Sequence, residues 1–175
     1  VNTFSIAPLE DAGDTRAKLA ALLTEVVAHG GSVSFMHPLA LEDANAFWAR
    51  SLEAAARGER VVFGAWDGTE LLGTVTLLLD CPPNQPHRAE IAKMMTRVAA
   101  RGRGVASALL QAAELEAVRR GRTLLVLDTA SDGGAAGLYE HHGYVFAGEI
   151  PDYALKPHGG LTGTRLYYKR LEHGS

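Results

Sequence analysis

At 175 residues with 47% apolar content, the chain has enough material for one ordinary buried core, which excludes intrinsic disorder. Twenty acidic against 17 basic residues leave a formal net charge of -3, which argues against a general nucleic-acid binder with its broad basic field. A single cysteine, Cys81, permits no internal disulfide, and no apolar leader or run of membrane-spanning length occurs, so the expected setting is soluble, reduced and cytoplasmic.

In chain order, Ser5 to Leu9 reads as a short strand. Asp14 is placed to cap a helix through Val27, with Leu19, Leu22, Leu23 and Val26 on one stripe. The run His29-Gly30-Gly31-Ser32 stops it. A second helix is expected from Leu41 to Ala56, where Leu41, Ala44, Trp48 and Leu52 recur at helical spacing and Gly58 follows as terminator. From Arg60 the period changes: Val61–Trp66, the turn Asp67-Gly68 and Leu71–Leu79 read as a β-hairpin.

After the loop Cys81–Pro86, a strand is expected from Glu90 to Val98, a helix from Gly104 to Arg120 and an apolar strand from Thr123 to Asp128. The helix is amphipathic, with Val105, Ala106, Leu109, Leu110, Ala113 and Ala117 on one face. Strand, helix and apolar strand make a βαβ crossover, so those two strands should be parallel. A short helix near Gly134–His141, a strand Tyr144–Ile150, a loop bearing Pro and Gly, and a last strand Thr164–Leu171 complete a mixed sheet.

The chemistry concentrates at the junction "VAARGRGVASALL", Val98 to Leu110, where Arg97, Arg101 and Arg103 stand beside two glycines in an acidic protein. Ligands of α/β sheets collect outside the carboxyl ends of parallel strands, where a helix begins. Successive backbone N–H groups there, with the positive end of the helix, suit phosphate oxygens. A Walker loop is excluded because no Lys follows the glycines, and a dinucleotide loop because the third glycine position is Ser107. The pattern Arg/Gln-x-x-Gly-x-Gly/Ala fits in full, as Arg101-Gly102-Arg103-Gly104-Val105-Ala106.

On these residues the sequence resembles the GNAT superfamily of acyl-CoA-dependent N-acetyltransferases, in which that turn holds the coenzyme A pyrophosphate. The stretch "AAGLYEHHGYVFAGEI" is similar to the family's downstream segment, with Tyr139 at its tyrosine and Gly143-Tyr144 at its Gly-Phe/Tyr. More narrowly, "HGGSVSFM", "NQPHRAEIAKMMTRVAARGRGVA" and "LDTASDGGAAGLYEHHGYVFAGEIPDY" resemble the tabtoxin-resistance type, which implies antibiotic or amino-acid-like acceptors. Thr96 departs from the usual aliphatic residue and Val98 from a frequent proline; neither removes a reacting group. The resemblance implies a single GNAT domain over 1–175, with a mixed sheet of about seven strands and about four helices. A splayed parallel strand pair is implied with it.

Acetyl transfer from a thioester to an amine needs an uncharged amine, stabilisation of the developing oxyanion and a proton for the departing thiolate. An alkyl ammonium has a pKa of about 10.4, so the site must remove a proton near neutral pH. Glu90 and Asp128 are the candidate base and ammonium ligand, against the plainer alternatives of a solvated strand end and a turn cap. Residue types alone do not choose between them; the family analogy favours Glu90 as base and Asp128 as ammonium ligand. Tyr139 is the expected acid, its phenol donating to the thiolate. A tyrosine on a short helix can also simply fill core.

The expected acetyl-CoA contacts run over Met95, Thr96, Arg97, Val98 and the turn Arg101–Ala106, with the backbone N–H groups of Met95 and Thr96 polarising the thioester carbonyl. Ser34 and Phe35, in the linker "HGGSVSFM", are expected to line the acceptor pocket, and the Tyr153–Gly163 loop to be a lid. No metal is called for: His141-His142 has no ligand spacing, and Cys81 has no activating partners in sequence. The expected function is direct transfer of acetyl from acetyl-CoA to the primary amine of a small molecule, by a monomer or homodimer that binds neither nucleic acid nor membrane. The rivals are a protein or peptide acceptor, and a non-catalytic module that binds acyl-CoA or a drug.

Overall fold

The computed structural model describes residues 3–172. Seven strands form one sheet in the order β1-β2-β3-β4-β5-β7-β6. They are β1 (Ser5–Pro8), β2 (Arg60–Asp67), β3 (Glu70–Leu78), β4 (Arg88–Thr96), β5 (Leu124–Ala130), β6 (Val145–Leu155) and β7 (Leu161–Arg170). The helices are α1 (Thr15–Ala28), α2 (Leu41–Ala56), α3 (Val105–Arg119) and α4 (Ala136–His141). The mixed sheet and four helices agree with the sequence-based expectation, and β4 and β5 are the parallel pair.

Each face of the sheet has its own core. On one side Leu19, Leu23, Val27, Trp48 and Met95 are buried between α1, α2 and the sheet. On the other, Val75, Leu77, Leu109, Leu110, Ala113 and Leu125 bury the apolar stripe of α3. The helical spacing seen in the sequence therefore does the expected work. Leu41 is an exception: it opens α2 and is 58% exposed. Asp14 is another. It precedes α1 in a non-extended backbone (φ -100°, ψ 11°), makes no side-chain cap, and turns its carboxylate to Lys18 at 3.1 Å.

The carboxyl-terminal strands are longer than the sequence suggests. Pro151 and Asp152 read as loop residues, yet β6 runs through them to Leu155, and β7 begins at Leu161. The pairing shifts register between Ile150 and Ala154, and Asp152 sits at φ 53°. Because β6 is the outermost strand, Pro151 can lack an N–H without costing a ladder bond. The expected lid at 153–163 is thus mostly a hairpin.

Two irregularities open the sheet. Strands β4 and β5 pair only from Arg88–Glu90 against Leu124–Val126, and then part. In the same stretch β4 bulges: Ala92 faces Thr76 and Met95 faces Thr74, so Lys93 and Met94 together oppose Val75. The extra residue turns Met95 into the α1/α2 core, while Ile91, of the same parity, stays on the α3 side. Gly73 permits this. A Cβ there would lie 2.7 Å from the Met95 carbonyl oxygen and 3.0 Å from Val105 Cγ1. Gly73→Ala is expected to cost about 1–3 kcal/mol of stability, as overpacking does. Because it pushes β4 against the start of α3, it should also weaken coenzyme A binding; thermal melts and calorimetry check both.

Candidate active site

Past the point where β4 and β5 part lies a cavity of about 500 Å³, within the range of small-molecule sites. The sequence-predicted residues Ser34, Phe35, Glu90, Met95, Thr96, Arg101, Asp128 and Tyr139 all line it. Glu90 lies opposite Val126 in the parallel ladder, so Glu90 and Asp128, two residues on, share one sheet face. Asp128 accepts a hydrogen bond from Thr164 Oγ1 on β7 at 2.9 Å rather than capping the turn after it. Glu90 is half-buried, with the Arg88 guanidinium 3.6 Å away. Two carboxylates on adjacent diverging strands can take a proton from, and hold, an amine between them.

Tyr139 is brought here by α4, whose end is tied to the first turn of α3 by Ser107 Oγ and His142 Nε2 at 2.9 Å. The Tyr139 ring packs edge-on to Tyr144 at 5.7 Å and is only 5% exposed. Burial pushes its phenol up to about 12, and the Asp128 carboxylate adds to that. The proton is therefore kept throughout the neutral range, as a proton donor requires.

The turn 101–106 has the backbone conformation of a candidate anion site. Gly102 (φ 78°) and Gly104 (φ 83°) both adopt the left-handed conformation that L side chains resist, and a Cβ at either would touch nothing. Backbone conformation rather than crowding thus selects glycine. None of the N–H groups from Gly102 to Ser107 has an acceptor among the described residues, because α3 starts at Val105 and its first internal bond is Ala108 N–H to the Gly104 carbonyl. Six unpaired donors follow one another at one helix end. Such a run is a candidate phosphate cradle.

The three arginines of the junction part company. Arg101 lines the cavity. Arg97 turns to the other side, where it pairs with Glu70 and lies 3.6 Å from Glu25. Arg103 bonds to Asp67 at 3.1 Å and Thr3 at 2.7 Å, which ties the cradle to the β2–β3 turn. The Val98 N–H is donated to Glu25 Oε2 at 3.0 Å.

Lys93, which the sequence reading passed over, also lines the cavity. Its Nζ lies 3.3 Å from Ser34 Oγ and 5.8 Å from the Phe47 ring centre. Lysine within an apolar strand, on the parity of Ile91 and Met95, is the signal that could have revealed it. The linker carrying Ser34 is clasped to the β6–β7 tip: His37 N–H donates to the Pro157 carbonyl at 2.9 Å and the His37 and His158 rings lie 4.4 Å apart. Tyr153, Leu155 and Thr162 of that hairpin wall the cavity. Among the described residues no cluster of His, Cys, Asp or Glu could hold a metal, and no helix is long and apolar enough to cross a membrane.

The profile of the acetyltransferase (GNAT) family matches residues 31–144, which include the cradle and Tyr139. The chain belongs to that family: it is an acetyltransferase that takes its acetyl group from acetyl-CoA. It is similar to a GCN5-related N-acetyltransferase from Kribbella flavida, at 25% identity over 97% of this chain and 98% of that one, with a TM-score of 0.80. The Salmonella typhimurium protein yncA, solved with its cofactor acetyl-CoA, superposes with a TM-score of 0.79 at 17% identity, over 99% of this chain and 97% of that one. A ribosomal-protein-alanine N-acetyltransferase from Brucella melitensis gives 0.79 at 19% identity, over 95% and 99%.

Tyrosine loses its proton near pH 10 in an unfolded chain. With the folded value raised to about 12, the stabilising contribution of Tyr139 is fully present below about pH 10 and is lost as pH rises toward 12. Melting temperatures should fall across that window, and less steeply in Tyr139→Phe; calorimetric scans at stepped pH check this.

Proposed function

We propose that this acetyltransferase passes acetyl directly to the primary amine of a small, amino-acid-like or antibiotic acceptor, in the manner its tabtoxin-resistance-like segments imply. The observation that carries the reading is the row of six unpaired amides beside a cavity that holds two carboxylates and a buried, protonated tyrosine. The whole of 1–175 is read as one acetyltransferase domain.

The N–H groups of 102–107, with Arg101, hold the pyrophosphate of coenzyme A, whose thioester supplies an activated acetyl group. Backbone N–H groups near Met95 and Thr96, where β4 is freed from β5, stabilise charge on the acetyl oxygen. Glu90 takes the amine proton, directly or through water, and Asp128, steadied by Thr164, orients the incoming ammonium. Tyr139 returns a proton to the departing sulfur. No residue of the chain becomes acetylated along this route, so both substrates are bound together.

A clasped rather than open rim over the cavity favours a small acceptor over a protein segment. An amine panel of amino acids, aminoglycosides, polyamines and peptides, read by thiol release, tests it; turnover confined to peptides would replace the small acceptor with a protein N-terminus or lysine.

Gly104→Glu adds bulk and negative charge at a left-handed residue and should abolish coenzyme A affinity; unchanged affinity by calorimetry would refute the cradle. Tyr139→Phe should lower turnover about 10²- to 10⁴-fold, the usual scale of a lost general acid, with acetyl-CoA binding little altered. An unaffected rate would remove Tyr139 from proton transfer.

A further inference from the structure

Three residues other than glycine among those described have positive φ: Ser34 (75°), Lys93 (52°) and Asp152 (53°). Two of them meet across the cavity. Lys93 is projected by the bulge of β4, and its Nζ lies 3.3 Å from the hydroxyl of Ser34, which arrives from the linker after α1. Side chains other than Asn and Asp rarely occupy this conformation, so a lysine and a serine held in it, facing each other, point to a use for their side chains.

The Lys93 ammonium is also incompletely satisfied. It has three donors, and Ser34 takes one. No carboxylate of the described residues lies within 4.0 Å of it. Glu90 and Asp128 share the cavity and pull its proton affinity up, yet burial outweighs them and holds it below the ordinary lysine value. A half-buried cation with spare donors beside a cavity costs stability unless an anion arrives. Glu90 and Asp128, whose charges act on Lys93, supply the opposite sign in the same cavity. The cavity is thus matched to a molecule bearing both charges.

We infer that Lys93 and Ser34 form a receiving point for an acidic group on the acceptor, so that the acceptor is an amine that also carries a carboxylate or comparable anion. The inference rests on the small-acceptor reading above and adds a specificity residue to it. An amine without the acid would leave the half-buried Lys93 with Ser34 as its hydrogen-bond partner and no anion.

The test compares each of the common L-amino acids with its α-carboxamide, by calorimetry on the coenzyme A-loaded protein, in wild type and Lys93→Met, with thiol release followed in parallel. For at least one pair the wild type should bind the acid about ten- to a hundredfold more tightly than the amide, the scale of a hydrogen bond to a charged group. Lys93→Met should bring that ratio to about one, and Lys93→Arg should restore a preference. Equal affinity for acid and amide, no measurable binding of any acid, or a preference that survives Lys93→Met would overturn the inference. If Lys93→Met does not melt cooperatively, Lys93→Asn, which tolerates the left-handed backbone, carries the same expected outcomes. An acid preference that depends on Lys93 with no amine acetylated upholds the anion site and sinks the transfer reading instead.

Discussion

The parting of β4 from β5 is the constraint on which the rest depends. A parallel pair held together along its whole length would bond its own amides and leave no gap. Here the ladder stops after Glu90 and Val126, the bulge at Lys93–Met94 bends β4 away, and Gly73 lets β3 follow it without a clash. The opening lies beside the start of α3. One local departure from regular pairing thus creates the gap, frees backbone donors along it, and places Glu90 and Asp128 on its flanks.

The two substrates are then read by different means. On the proposed reading the carrier meets backbone: six unpaired N–H groups around two left-handed glycines, with only Arg101 of the neighbouring arginines turned toward the cavity. On the same reading the acceptor would meet side chains, drawn from the linker after α1, from β4 and β5, and from the β6–β7 hairpin, which line the cavity. Backbone recognition suits a cofactor common to a large family. Side-chain recognition suits an acceptor that differs from one member to the next.

Much of this was legible in the sequence because it depends on local rules. The stripe Leu19, Leu22, Leu23, Val26 and the face Leu109, Leu110, Ala113, Ala117 have helical periods that any core would exploit, and all are buried. The Arg101–Ala106 pattern is likewise local, and the positive φ of Gly102 and Gly104 is of the kind glycine adopts without strain. What stayed hidden depends on partners far away in the chain. Whether Arg97 and Arg103 face the ligand is decided by Glu25, Glu70 and Asp67, none of which the local pattern reveals. Pro151 and Asp152 looked like loop because the edge position that tolerates them is a property of the assembled sheet. Lys93 was overlooked because alternation through a bulge fails by one residue, and Ile91 and Met95 end on opposite faces despite their equal parity.

The clasp over the acceptor cavity carries a consequence for how the protein comes to be active. Its two rims belong to the opening third and the closing segment of the chain: His158 Nε2 approaches the Ala28 carbonyl at 2.9 Å across 130 residues. Contacts of such sequence separation carry a high loop-closure entropy and slow folding. A chain whose β6–β7 hairpin has not docked can have a finished α1/α2 layer, yet lacks the wall that Tyr153, Leu155 and Thr162 give the cavity. On the proposed reading, acceptor selection therefore depends on the docking of this hairpin and reports on the integrity of the whole sheet.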